Sequence, residues 1–201
     1  MPDFSILTVC SGNICRSPLA EQLLRAGLSD VADVRVSSAG TIGMIGSPMD
    51  PQSAELAARF GVTDAAGHVA RELNAQHVAD AQLVFAMSRE HRRSVVEFEP
   101  RAARRTFTLR EFARIAAEIT DEDLAPAAEL PLEDAAGRLS ATVTVVAAMR
   151  GMVGPAHTPD DDDIIDPYRR TADIYERTGA ELRPAVDAAL VLFRRALTLT
   201  R

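Results

Sequence analysis

Leu7-Thr-Val-Cys-Ser-Gly-Asn-Ile-Cys-Arg-Ser-Pro-Leu-Ala-Glu21 is the stretch on which the reading of this chain turns. It begins as the end of a β-rich apolar run, Phe4–Val9, and ends in the first turn of an amphipathic helix. Pro18 suits that first turn, where a missing N–H costs nothing. Leu19, Leu23 and Leu24 mark the helix's apolar face, and Gly27 ends it. A strand that turns through a short loop into a helix N-terminus can aim successive main-chain N–H groups at one point, which makes an anion nest. The same field favours a thiolate over a thiol at Cys10. Gly12 supplies backbone freedom, and Asn13 tolerates left-handed geometry while its amide can tie the loop. Arg16 brings a planar fork that matches two oxygens of a tetrahedral oxyanion. Ser17 is placed to hydrogen-bond the thiolate. The competing reading is a buried structural cysteine beside a helix-capping serine.

Outward from this loop, strand and helix signals alternate. Val34–Ser38 reads as a second strand. Asp50 is a candidate N-cap with Pro51 at N1, for a helix running to Arg59 and stopped by Gly61. Asn74 is a candidate cap for a short helix. Leu83–Met87 is a buried strand, Ser88 caps the helix after it, and Thr106–Leu109 is a fourth strand. Alternation of this kind predicts parallel βαβ units, with the site at the carboxyl ends of the strands. Arg110–Ile119 and Glu133–Met149 read as helices joined by a linker at Ala125–Pro131. The Val143–Met149 run is expected to pack on the domain. From Ala172 to Leu199 the chain reads as helical with a break near Gly179. Ala185, Ala189, Leu192, Phe193 and Leu197 form its apolar face.

Bulk properties narrow the function. The 201 residues carry a formal net charge of −7 with 47% hydrophobic residues. That length fits one domain spanning residues 1–201. An acidic chain has no basic excess for nucleic acid. The two cysteines lie in one loop, which is no secreted disulfide framework. With no basic leader before the first apolar run and no stretch near membrane-spanning length, the expected location is the cytoplasm, with no membrane partner. A nucleophilic thiol acting on a phosphate ester needs a proton donor for the leaving group. Asp166, stiffened by Pro167 and followed by Tyr168 as an aromatic wall, is the best candidate, though an ordinary Asp-Pro turn fits it as well. The run Asp160–Asp163 is expected to be a solvated, mobile flank rather than a cation site, because consecutive aspartates cannot converge on one ion.

Val9-Cys-Ser-Gly-Asn-Ile-Cys-Arg-Ser-Pro18 together with Asp166-Pro167-Tyr168 resembles the low-molecular-weight protein tyrosine phosphatases. The likeness continues through Ser38-Ala39-Gly40-Thr41, Gly46-Ser47-Pro48-Met49-Asp50-Pro51 and His68-Val69-Ala70-Arg71. It implies a three-layer α/β/α fold around a four-stranded parallel sheet. Residues 110–159 would then form a helical insertion before the acid loop. It also implies metal-free, cofactor-free hydrolysis of phosphotyrosine in a protein through a cysteinyl-phosphate intermediate, with free phosphate or another oxyanion able to occupy the loop. Cys10 would be the nucleophile, Arg16 the phosphate ligand and Asp166 the general acid and base. Ser11, Gly12, Asn13, Ile14, Cys15 and Ser17 would complete the phosphate-binding loop, with Ser38 and His68 supporting it. Cys15 resembles the family's redox guard. Where relatives carry aromatics around the substrate, this chain has Ile42-Gly43-Met44-Ile45, and Arg169 and Arg170 follow Tyr168. The pocket is therefore assigned to Met44 and Tyr168. The alternatives are a protein arginine phosphatase, against which Ile14 counts because those relatives tend to carry Thr there, a thiol-linked arsenate reductase, and a non-catalytic phosphate-binding module.

Overall fold

The computed structural model describes residues 3–62 and 64–200. Four strands, β1 (Phe4–Cys10), β2 (Val34–Gly40), β3 (Leu83–Ala86) and β4 (Thr106–Thr108), form one all-parallel sheet in the order β2-β1-β3-β4. Alternation along β1 sets the layers. Phe4 and Ile6 point to one face, where the helices α1 (Arg16–Gly27), α5 (Leu109–Glu118) and α8 (Ala172–Thr198) cover them. Leu7 and Val9 point to the other, toward α3 (Ala75–Asp80) and α4 (Arg89–Phe98). The result is the expected three-layer α/β/α arrangement. Because β2 lies on one side of β1 and β3 on the other, the chain reverses its direction of travel beside β1. The crevice at the carboxyl ends of β1 and β3 is thus the topological switch point.

Side-chain caps fix the helix starts where the sequence places them. Asp50 accepts from the main-chain N–H groups of Gln52 and Ser53 at the head of α2 (Pro51–Arg59). Asn74 accepts from His77 N, and Ser88 from His91 N.

Two expectations are corrected. The linker Ala125–Pro131 contains a short helix, α6 (Ala125–Ala128). The C-terminal helix is not broken at Gly179: α8 is continuous over 27 residues. Gly179 is buried against α2, and a Cβ there would lie 3.1 Å from both Leu56 Cδ2 and Phe60 Cζ. The glycine serves close packing, a use that leaves the same mark in the sequence as a break.

Residues 110–159 fold as most of α5, α6 and α7 (Ala135–Met149). Val143 and Val146 of α7 are buried, as expected. Two arginines bolt α7 down. Arg150 pairs with Glu111 at 2.7 Å, donates to Thr106 O at 2.7 Å and lies 4.0 Å over the Phe107 ring. Arg138, 1% exposed, donates to Ala196 O at 2.8 Å, to Leu130 O at 2.7 Å and to Leu199 O. It thereby satisfies carbonyls at the C-terminal end of α8 that the helix itself leaves orphaned. Replacing Arg138 with Met strands those acceptors indoors. The expected loss is about 3 kcal/mol, or about 6–10 °C in Tm, with little change in the remote loop. Thermal melting checks this, and an unchanged Tm contradicts it.

Candidate active site

The loop between β1 and α1 is held from outside by its carbonyls. Cys10 O accepts from Thr41 N at 2.9 Å, Ser11 O from Ile42 N at 3.0 Å and Gly12 O from Met44 N at 2.9 Å. Asn13 O accepts from His68 Nε2 at 2.6 Å, Ile14 O from Asp50 N at 2.8 Å and Cys15 O from Leu19 N at 3.2 Å. Five consecutive carbonyls, Cys10 to Ile14, are tied to neighbouring segments, and that of Cys15 opens the α1 ladder; a backbone held this way can turn its N–H side inward at the N-terminus of α1. Gly40 permits the close approach of β2 to this loop, since a Cβ there would meet Ser11 O at 2.4 Å.

Asn13 is the loop's internal brace. It takes the left-handed conformation, φ 58°, and its side chain is fully engaged. Its amide donates to Ser17 Oγ at 3.0 Å and to Ser38 Oγ at 2.8 Å, and its Oδ1 accepts from Arg71 N at 3.0 Å. Ser38 Oγ in turn donates to Glu21 Oε2. Ser17 Oγ lies 3.0 Å from Cys10 Sγ. Ser17 Oγ accepts the Asn13 amide, and its one proton has two acceptors in reach, Ala39 O at 3.5 Å and the closer Cys10 Sγ, a contact that suits a thiolate acceptor.

Arg16, 5% exposed, enters from the first turn of α1. Its Nη1 donates to Ile164 O at 3.0 Å, and its Nη2 pairs with Asp166 Oδ2 at 2.8 Å. Nε is buried with no hydrogen-bond partner among the described residues. An oxyanion seated in the loop supplies what that donor needs. Asp166 is half exposed on a segment tied at both of the preceding residues. Ile164 N donates to Met87 O at 2.9 Å, Ile165 N to Glu181 Oε2 at 2.9 Å, and Ile165 O accepts from Thr178 Oγ1 at 3.2 Å.

The two thiols differ. Burial, the largest influence, pushes the Cys15 thiol up to about 12, opposed by a hydrogen bond with Ser53. Cys15 therefore stays protonated under the loop, leaving Cys10 as the sulfur in the nest.

The mouth is a cavity of about 200 Å³ with Cys10, Arg16 and Asp166 at its base and Ile14, Ile42, Met44 and Tyr168 among its walls. Met44 and Tyr168, the pocket residues assigned from the sequence, line this cavity, and Ile42 lines it with them. A larger polar cavity of about 380 Å³ is lined by Glu21, Ser38, His68 and Arg71 among others, and no cysteine is among its lining residues. Glu21 and Arg71 were missed as loop supports. Glu21 falls in the first turns of a helix, where the spacing signals a solvent-facing charge.

His91 was missed as well. It is 4% exposed, with Nδ1 2.8 Å from Ser88 Oγ and Nε2 2.9 Å from Ser11 Oγ. Its signal was its place three residues after the Ser88 cap, on the buried side of α4. Burial first, then the Arg16 charge, lower its pKa from 6.5 to about 4, while Asp166 and Asp163 oppose the shift. The unfolded chain takes up this proton near pH 6.5, and the folded one only near pH 4. The neutral ring's stabilisation is complete above pH 6.5 and is lost as pH falls toward 4. Between pH 7 and 4.5 the protein is expected to lose about 2–3 kcal/mol through this residue, a loss that His91→Gln removes. Urea midpoints at both pH values test this, and an equal pH dependence in the variant contradicts it.

The acidic run is solvated only in its first half: Asp160, paired with Arg89, is 89% exposed and Asp161 is exposed, whereas Asp162 is held by Arg114 and Asp163 by Arg89. The sequence showed the charges but not the partners, which lie on α4 and α5.

A strand-loop-helix nest with a thiol, an arginine and a facing carboxylate is the equipment of a cysteine-dependent phosphatase. Residues 5–125 match the family described as "Low molecular weight phosphotyrosine protein phosphatase", and the chain belongs to it. It is 42% identical over 102 residues to the low molecular weight protein-tyrosine-phosphatase Etp of Escherichia coli (strain K12), covering 51% of this chain and 66% of that protein. It is 35% identical over 130 residues to a protein-arginine-phosphatase of Geobacillus stearothermophilus, covering 65% and 82%. Its fold is similar to the Erwinia amylovora tyrosine phosphatase AmsI, with a TM-score of 0.63 and 26% identity over 94% of this chain and 91% of that one. Among the described residues, no helix is long and apolar enough to cross a membrane.

Proposed function

We propose that this chain is a cytoplasmic protein tyrosine phosphatase. The observation that carries the reading is the loop whose carbonyls from Cys10 to Ile14 are tied outward, with the Arg16 guanidinium at its end and its Nε buried without a partner among the described residues. The phosphoryl group of a phosphotyrosyl protein binds there and takes Arg16 from Asp166, whose half-exposed carboxylate then takes up a proton from solvent. Cys10 Sγ attacks phosphorus, and the P–O bond to the phenol breaks as Asp166 gives its proton to the leaving oxygen. Asp166, now a carboxylate, takes a proton from water as that water attacks phosphorus. The S–P bond breaks, and inorganic phosphate and the Cys10 thiolate remain. Each charge-bearing step is stabilised by dipoles already in place.

The choice of tyrosine rests on the walls. Ile14, Ile42, Met44 and Tyr168 form an apolar slot suited to an aryl ring. A phosphoarginine guanidinium would enter the same slot with no carboxylate lining it except Asp166, which already faces Arg16. The arginine reading keeps its place through the similarity to the Geobacillus protein. Matched phosphotyrosyl and phosphoarginyl peptides separate the two. Faster release of phosphate from phosphotyrosine supports the proposal, and turnover of phosphoarginine alone overturns it.

A further inference from the structure

The acidic run has no part in the chemistry above, yet it is heavily bound. Arg89 is the first residue of α4, and its main-chain N–H donates to Asp163 Oδ1 at 2.7 Å. Its guanidinium donates to Asp163 Oδ2 at 3.0 Å and to Asp160 Oδ1 at 2.6 Å. Asp163 thus meets an arginine and a helix N-terminus together, both favouring its charge. The two asparates differ in worth. The Asp160 side chain is 89% exposed, so its pair is screened, while that of Asp163 is 27% exposed. Three positions beyond Asp163 stands Asp166, and the residues between are fixed by their main-chain bonds. A shift at Asp163 is therefore carried to the Asp166 carboxyl. The same turn of α4 holds the phosphate loop through His91 and Ser11.

We propose that Arg89 and Asp163 are positioning residues for Asp166: their contact registers the acid arm against the phosphate loop on a single turn of α4. The inference rests on Asp166 being the proton donor. Its signature is a dependence on the leaving group, because a displaced acid harms only substrates whose leaving oxygen needs a proton.

The experiment measures kcat/KM for aryl phosphates from dinitrophenyl to phenyl phosphate in the wild type, Arg89→Met, Asp163→Ala, the double variant and Asp166→Asn. Arg89→Met and Asp163→Ala are each expected to lose about 10-fold on phenyl phosphate and less than about 2-fold on the dinitrophenyl ester, a fraction of the full value of an acid. The double variant is expected to be little worse than Asp163→Ala, since that change already removes both the guanidinium and the main-chain contact and leaves Arg89 only its screened pair with Asp160. If Asp163→Ala fails to fold, Arg89→Met, which keeps the main-chain N–H and the side-chain stem, decides. A loss in Arg89→Met that is uniform across the series, or no loss, beside a steep dependence in Asp166→Asn, overturns the positioning role alone. A flat series in Asp166→Asn overturns the proton-donor assignment, and the positioning role with it.

Discussion

Cys10→Ser is expected to lower kcat/KM for an aryl phosphate by on the order of 10⁴-fold or more, while the protein stays folded and still binds phosphate. The fold should survive because the loop's shape is set by its carbonyls and by Asn13, none of which bonds the sulfur. A serine oxygen also fits a site that is 2% exposed and built for a slightly larger atom. The chemistry should not survive. Ser17 Oγ, at 3.0 Å, and the N–H side of the loop are arranged around a sulfur nucleophile, which attacks as a thiolate. A serine hydroxyl at that position has no base to take its proton: Asp166 sits against Arg16, and His91 faces Ser11 instead. Initial rates with the purified variant, alongside phosphate binding by calorimetry, check both halves. Activity within tenfold of the wild type would remove Cys10 from the reaction.

Asp166→Asn is expected to cost about 10²–10⁴-fold in kcat/KM on phenyl phosphate, the usual value of a positioned acid. Asn keeps the shape and can still accept from Arg16 Nη2, but it carries no proton to give to the leaving oxygen. The Asp166 side chain is 51% exposed and its pair with Arg16 adds little to stability, so the melting temperature should move by no more than a few degrees. Removing the carboxylate also removes a negative charge beside the oxyanion site, and phosphate is expected to bind more tightly to the variant. The limb of the pH–rate profile that reports the acid should vanish. A variant that retains that limb, or that loses activity only through a lower melting temperature, contradicts the assignment.

Much of this was legible in the sequence, for physical reasons that can be named. Strand ends and helix caps are local: Asp50, Asn74 and Ser88 each satisfy an N–H two or three residues away, so their types alone locate the helix starts. The Cys10 loop is local too, since its thiol, its turn residues and its arginine lie within one strand-loop-helix unit. Long-range partners were not legible. Nothing near Asp163 in sequence indicates Arg89, 74 positions away, and nothing near Ser11 indicates His91, 80 positions away. A run of aspartates therefore read as solvated throughout, although Asp162 and Asp163 are held by arginines. Gly179 read as a break because the sequence does not show Leu56 and Phe60 pressing against it. Asp166 could be named a candidate acid from its own segment, with an ordinary Asp-Pro turn fitting it as well, but its pair with Arg16 joins positions too far apart in the chain to be read there.

The central claim is that phosphate passes through sulfur at Cys10. The direct measurement is a rapid acid quench of Asp166→Asn with an aryl phosphate, followed by peptide mapping by mass spectrometry. In that variant the base for the second step is gone, so the intermediate should accumulate. The expected result is a phosphate adduct on the peptide bearing Cys10, formed as fast as the phenol is released and absent when Cys10 is Ser. Phenol release in a burst with no adduct on Cys10, or an adduct on another residue, would contradict the account.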